Sequence, residues 1–155
     1  MKKVLHRYEI VIVAISSPLM IGVYRDGILI EEIKREEKTS EILLKLLMDI
    51  RSRYDYEHII YTNGPGSYMA IKLTYITLRS LEILKDIKFS GCDAFSLNNQ
   101  TPIKAIGKFY FVKDNGKIVT KRFDEVLKQE FKLPKELSSI TILENNKPLY
   151  ILPAV

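Results

Sequence analysis

The residues with most chemical character lie in one short run, Asn63-Gly64-Pro65-Gly66-Ser67. Its two glycines permit backbone angles that other residues resist, and the proline between them stiffens the turn. Ser67 stands where a helix would begin, so its hydroxyl can cap the first free amides. Amides gathered at a helix N-terminus also attract anions. The run therefore reads first as a structural turn and second as a phosphate site. No Gly-Lys-Ser/Thr follows, which excludes the phosphate-binding loop, and the spacing is not a dinucleotide fingerprint.

Other reactive side chains are sparse. His6 and His58 are far apart in sequence, and no cysteine or carboxylate stands at ligand spacing from either, so no metal site is expected. His58 is expected at a strand edge. The two histidines do not by themselves support a Ser-His-Asp arrangement. Cys92 has no base partner in its spacing and reads as a small buried residue. As the one cysteine it forms no internal disulfide, which suits a reducing, cytoplasmic compartment. Glu31-Glu32 and Glu36-Glu37 belong to a charged, solvated connector.

The elements that would position these residues follow from patterning. The run over 8–15 is almost wholly apolar and rich in Ile and Val, as in a strand buried on both faces. Two more strand-like runs, 19–24 and 28–33, flank Asp26-Gly27, a strong hairpin signal. Three antiparallel strands in sequence order are predicted. Thr39 or Ser40 then caps a helix to about residue 53. Ile42, Leu43, Leu46, Leu47 and Ile50 share one broad face, with Leu44 and Met48 on a shoulder outside it. That is more than the roughly 100° arc one contact surface requires.

A short strand over 58–62 leads into the glycine run, and a second helix is predicted over 68–84. One of its faces carries Met69, Leu73, Ile76, Ser80, Ile83 and Leu84, and is expected to meet the sheet. The other carries Tyr68, Ile71, Lys72, Tyr75, Leu78, Arg79 and Glu82. Its aromatic and Arg content has the composition of a protein interface. A strand over 87–90 and a helical turn within 93–98 follow.

A polar stretch at 98–102 divides the chain into an N-terminal unit, 1–100, and a reduced C-terminal unit, 101–155. Beyond it, 108–112 and 117–121 flank Asp114-Asn115-Gly116, a second hairpin signal. A short helix over 123–131 and small strands over 139–143 and 148–152 complete the prediction. The order is that of an α/β layered domain with a mixed sheet.

Of the net charge of +5, residues 1–100 carry 14 basic and 13 acidic side chains, and residues 101–155 carry 10 and 6. A weak RNA-facing patch in the tail is one reading and ordinary solvated lysines the simpler one. No apolar run approaches the roughly 18 residues of a membrane-spanning helix, and charges interrupt any signal-peptide core at the N-terminus.

Gly64-Pro65-Gly66-Ser67-Tyr68, between a short strand and a long helix, resembles the Gly-Pro-Gly-Ser-Phe/Tyr-Thr-Gly-x-Arg signature of the TsaB (YeaZ) family. The resemblance extends over about residues 9–100. Residues 10–17 resemble the family's opening strand, Gly22-Val23-Tyr24-Arg25-Asp26-Gly27 its next strand and hairpin, and Thr39-Ser40-Glu41 the His-Ser-Glu that opens its first helix. Phe109-Tyr110-Phe111-Val112 weakly resembles the strand that begins its second lobe. The resemblance implies an actin-like (ASKHA, ribonuclease H-like) fold with a reduced second lobe. It also implies a non-catalytic role, as partner of TsaD, with the ATPase TsaE, in making threonylcarbamoyladenosine on tRNA. In that family two N-terminal helices from each partner pack as a bundle. Here Leu44, Met48, Tyr68, Ile71, Lys72, Tyr75, Leu78 and Arg79 would supply the contact, and a homodimer through the same face is expected when the protein is alone.

Departures sharpen this. The family's acidic residue after the first strand aligns with Val13, and valine offers no ligand for metal or water. Thr-Gly-x-Arg reads Met69-Ala70-Ile71-Lys72. Neither change suits nucleotide hydrolysis, and no cofactor is expected. The competing class is a small nucleotide-binding phosphotransferase using Gly64, Pro65, Gly66 and Ser67.

Overall fold

The structure is a computed structural model and describes residues 5–151. Residues 1–4 and 152–155, with the last position of the strand predicted over 148–152, lie outside the described residues. β1 (Tyr8–Val13), β2 (Leu19–Arg25) and β3 (Ile28–Arg35) form the expected antiparallel meander. Asp26 and Gly27 turn between β2 and β3 with φ of 50° and 83°. That left-handed pair matches the twist of a two-residue hairpin. β4 (His58–Gly64) joins β1 in parallel and β5 (Lys88–Asp93) joins β4 in parallel. The sheet order is β3-β2-β1-β4-β5, a mixed sheet with its first strand at the centre.

The central position explains the composition of β1. Ile10, Val11, Ile12 and Val13 are fully buried because both faces of the sheet are covered. On one face, Ile10, Ile12, Ile21, Val23, Ile59 and Tyr61 pack under α1 (Thr39–Arg53) and α2 (Tyr68–Lys85). On the other, Val11, Val13, Met20, Tyr24, Ile60 and Cys92 pack under Phe95, Phe111, Phe131, Leu133, Leu137 and Ile140. Most of this second cover comes from residues beyond 100. The same region carries a small antiparallel sheet of β6 (Ile103–Lys104), β7 (Phe109–Asp114) and β8 (Lys117–Arg122). Its hairpin turns at Asn115-Gly116, again with positive φ at both residues.

α1 begins at Thr39, and its cap is Lys38, whose side chain makes no capping bond, rather than Thr39 or Ser40. The predicted helical turn within 93–98 is a single 3-10 turn, Ala94–Leu97, capped by the Asp93 carboxylate.

Three predictions for the tail fail. No helix forms over 123–131. The Leu127 amide donates to the Tyr110 hydroxyl at 3.0 Å, the Gln129 Oε1 accepts from the Lys104 amide at 3.0 Å, and the Lys132 amide donates to the Leu97 carbonyl at 2.8 Å. Long-range partners thus replace the local bonds of a helix. Nor do strands form over 139–143 and 148–151. Residues 137–139 make a 3-10 turn, and Ile142 forms an isolated bridge to Cys92.

The tail fastens to both ends of the sheet. The Leu29 amide donates to the Lys135 carbonyl and the Leu137 amide to the Gly27 carbonyl, both at 2.9 Å, beside the start of β3. The Leu143 amide donates to the Gly91 carbonyl at 2.8 Å and the Gly91 amide to the Asn145 carbonyl at 3.0 Å, along the outer edge of β5. Tyrosine hydroxyls add a bond just outside each anchor, from Tyr24 to the Pro134 carbonyl at 2.6 Å and from Tyr61 to the Asn146 carbonyl at 2.7 Å.

Candidate partner interface and glycine loop

Gly64 ends β4 with φ of 133°. A β-carbon there would collide with the Leu149 carbonyl oxygen. Leu149 is held by its amide, which donates to the Asn63 carbonyl at 2.7 Å, and the Asn63 side chain donates to the Lys147 carbonyl at 3.0 Å. Gly66 lies against Ile15, where an added β-carbon would meet the Ile15 side chain at 3.0 Å. Ser67 caps α2, its Oγ accepting from the Ala70 amide at 3.4 Å. The glycines thus serve close packing between the loop, the first strand's exit and the tail, as the structural-turn reading expects.

A cavity of about 510 Å³ opens beside this loop. Ile15, Met69, Ile106, Phe111 and Tyr150 give it apolar walls, and Lys104 is the one charged residue among its lining. Val13 is fully buried in the core beneath. A phosphotransferase would need carboxylates here to hold a divalent cation, and the lining offers none.

The two helices differ in how well their faces were read. On α1, Leu43, Leu47 and Ile50 are buried, while Leu44 and Met48 are exposed, as predicted. On α2 the predicted orientation is inverted. Ile71, Thr74, Leu78 and Leu81 face inward, and Met69, Ile76, Ile83 and Leu84 face outward, each more than half exposed. Two predicted contact residues, Ile71 and Leu78, are therefore corrected: each is 1% exposed and belongs to the core. Tyr75 is half-buried, edge-on to Phe89 at 5.8 Å. Tyr68, Lys72 and Arg79 are exposed, with Lys72 over the Tyr68 ring and Arg79 paired to Glu82.

The inversion has a physical cause. Thr74 sits in the inward stripe because its hydroxyl donates to the Ala70 carbonyl at 2.8 Å, which removes the cost of burying it. α2 is apolar on both faces, so the richer stripe need not be the inner one. The tail covers chiefly the sheet face opposite the helices and meets the start of α2, where Ile71 joins the tail-covered core and the Tyr150 and Tyr68 rings lie 4.6 Å apart.

Tail lysines are dispersed among local partners. Lys113 pairs with Asp93, Lys104 lies over Tyr110, and Lys121 lies over Phe123. Cys92 is fully buried, and burial pushes its thiol up to about 12. His58 opens β4, at the first position of an interior strand, and is bonded to Glu9 and Ser90. That grouping was missed because it joins residues on three strands through register alone. The one cue in the sequence was Glu9, the single charged residue of β1; β4 and β5 carry other polar residues beside His58 and Ser90.

No family profile and no curated protein matches the sequence. Solved structures do resemble the fold. A Pseudomonas aeruginosa protein described as similar to the peptidase YeaZ superposes with a TM-score of 0.60 at 9% identity, over 78% of this chain and 69% of that one. YeaZ from Pseudomonas aeruginosa superposes with a TM-score of 0.58 at 10% identity, over 74% of this chain and 64% of that one. The present chain thus spans about two thirds of each. At these identities it is the fold that is shared: a mixed five-stranded sheet with its helices, in the actin-like arrangement of the YeaZ structures.

Proposed function

We propose that this protein is a non-catalytic partner in a TsaB-like role, docking on TsaD through α1 and α2 in the assembly that modifies tRNA. The observation that carries the reading is the outer surface of the helices. Leu44 and Met48 on α1, with Met69, Ile76, Ile83 and Leu84 on α2, are large apolar side chains left in water. The chain's own tail packs on the far side of the sheet. Exposed apolar surface on this scale marks an interaction site, and a helical face offers the anchors such an interface uses. Tyr68, Lys72 and Arg79 provide a polar rim. The YeaZ-like fold supports the choice of TsaD as partner. TsaE and tRNA would be met through that complex, and a homodimer through the same face would form when TsaD is absent.

Size-exclusion chromatography of the protein with the TsaD of its own cell tests the reading. A stable complex is expected, and the double variant Ile76→Glu with Ile83→Glu should weaken it at least a hundredfold, as loss of central anchors does. Failure of the folded wild-type protein to bind TsaD would overturn it.

A further inference from the structure

Three neighbouring strands bring Glu9, His58 and Ser90 into one row. Glu9 and His58 are opposite each other in the β1–β4 register, and Ser90 lies two residues beyond the partner of His58 on β5. The alternation of strand residues sets them on the face away from the helices. The Glu9 Oε2 is 2.7 Å from His58 Nδ1, and His58 Nε2 is 2.8 Å from Ser90 Oγ. Arg7 Nε lies 3.4 Å from the second Glu9 oxygen. The hydrogen bond from His58 holds the Glu9 carboxyl below its ordinary range, so it is ionised and only accepts. With its proton on Nδ1, the His58 imidazole donates to Glu9 and leaves Nε2 to accept the Ser90 hydroxyl proton. This is the bonding order of a nucleophile, base and orienting carboxylate.

The row is reachable. Glu9 is buried, but the His58 side chain is 22% exposed and Ser90 is half-buried. His58 lines a cavity of about 780 Å³ at the opening end of β4, with His6, Arg7, Arg51 and Lys88 among its walls. That end is opposite the glycine loop, which follows the closing end of the same strand.

We propose that Glu9, His58 and Ser90 form an acyl-transfer site that hydrolyses esters of short acyl groups. Ser90 Oγ bonds to the ester carbonyl carbon as His58 Nε2 takes the hydroxyl proton. The bond from that carbon to the alcohol oxygen then breaks, and the departing alkoxide takes the proton from Nε2. Water attacks the acyl-serine with His58 again as base, releasing the carboxylic acid and restoring Ser90. Glu9 is a positioning residue, fixing the imidazole and stabilising its protonated form. A proton relay of this kind contributes about 10²–10⁴ in rate. That suits esters, whose leaving groups depart readily, and predicts hydrolysis of the acyl-serine slower than its formation, so that the covalent adduct accumulates and can be read. The inference is independent of the partner reading, since the row and the outer helix faces lie on opposite sides of the sheet.

The test is incubation of the full chain with p-nitrophenyl acetate and, separately, with an alkyl fluorophosphonate, followed by mass spectrometry of peptides. The expected result is one modified residue, Ser90, with both probes. His58→Gln should slow the labelling at least a hundredfold, and Glu9→Gln should slow it and displace its pH profile, with circular dichroism reporting the fold of each variant. An unmodified Ser90 in the folded wild-type protein overturns the inference, as does labelling of Ser90 that Glu9→Gln and His58→Gln leave unchanged. If the variants fail to fold, the site of wild-type labelling decides alone. A TsaD complex could form or fail without altering any of these results.

Discussion

Glu9 and His58 face each other across the parallel β1–β4 pair, and a 2.7 Å contact between carboxylate and imidazole closes the lower end of the sheet. The Glu9 carboxyl is lowered first by that hydrogen bond, against desolvation, with Arg7 adding attraction. A carboxyl lowered in the folded state stabilises the fold above its unfolded value and ceases to do so as pH falls through its folded one. The urea midpoint of the wild-type protein should therefore drop more steeply than that of Glu9→Gln as pH falls below the ordinary glutamate value of 4.5. The two should differ most near neutrality and converge in acid.

Leu78 and Ile83 lie on the same helix with opposite fates, one buried and one 73% exposed. Leu78→Ala should cost about 2–5 kcal/mol of stability, as core truncations do. Ile83→Ala should stay within about 0.5 kcal/mol. Denaturant unfolding of the two variants measures the orientation of α2 directly.

The Cys92 thiol is fully buried and pushed up to about 12. The thiolate is the reactive form. An aromatic disulfide reagent at about pH 8 should leave the native protein unmodified, and should modify one thiol per chain in denaturant. Absorbance of the released thiolate reports both.

Gly64 and Tyr61 hold the end of the tail by different means. Gly64→Ala would force a side chain into a positive φ and against the Leu149 carbonyl, a strain of about 1–3 kcal/mol. Tyr61→Phe removes the bond to the Asn146 carbonyl, worth about 1 kcal/mol. In hydrogen exchange, Gly64→Ala should raise the rates of the Leu143 and Leu149 amides more than Tyr61→Phe does.

Much of this fold is legible because strand and turn signals are local. Asp26-Gly27 and Asn115-Gly116 announce their hairpins through the left-handed backbone they tolerate. The unbroken apolar run through Ile10 and Val13 announces a strand covered on both sides. The glycine loop could be placed but not explained, because what makes Gly64 necessary is Leu149, distant in sequence. The faces of α2 could not be ranked from composition, since Thr74 satisfies its hydroxyl within the helix and passes as apolar. The tail was misread for a related reason. Its bonds go to β3, β5 and the Tyr24 and Tyr61 hydroxyls, and no periodicity records partners that far away. The Glu9, His58 and Ser90 row depends on three strands being in register.

The fastening of the tail at both margins of the sheet bears on how the molecule meets its neighbours. Residues 142–145 occupy the rim of β5, while residues 135–137 block one end of β3. The rest of β3 offers Glu31, Glu32, Lys34 and Arg35, a fringe of charge that discourages further strands. Growth of the sheet by backbone pairing, the route to fibrils and swapped dimers, is thus obstructed on both flanks. Contact with other macromolecules is steered toward side-chain packing, where sequence rather than a generic peptide ladder selects the companion.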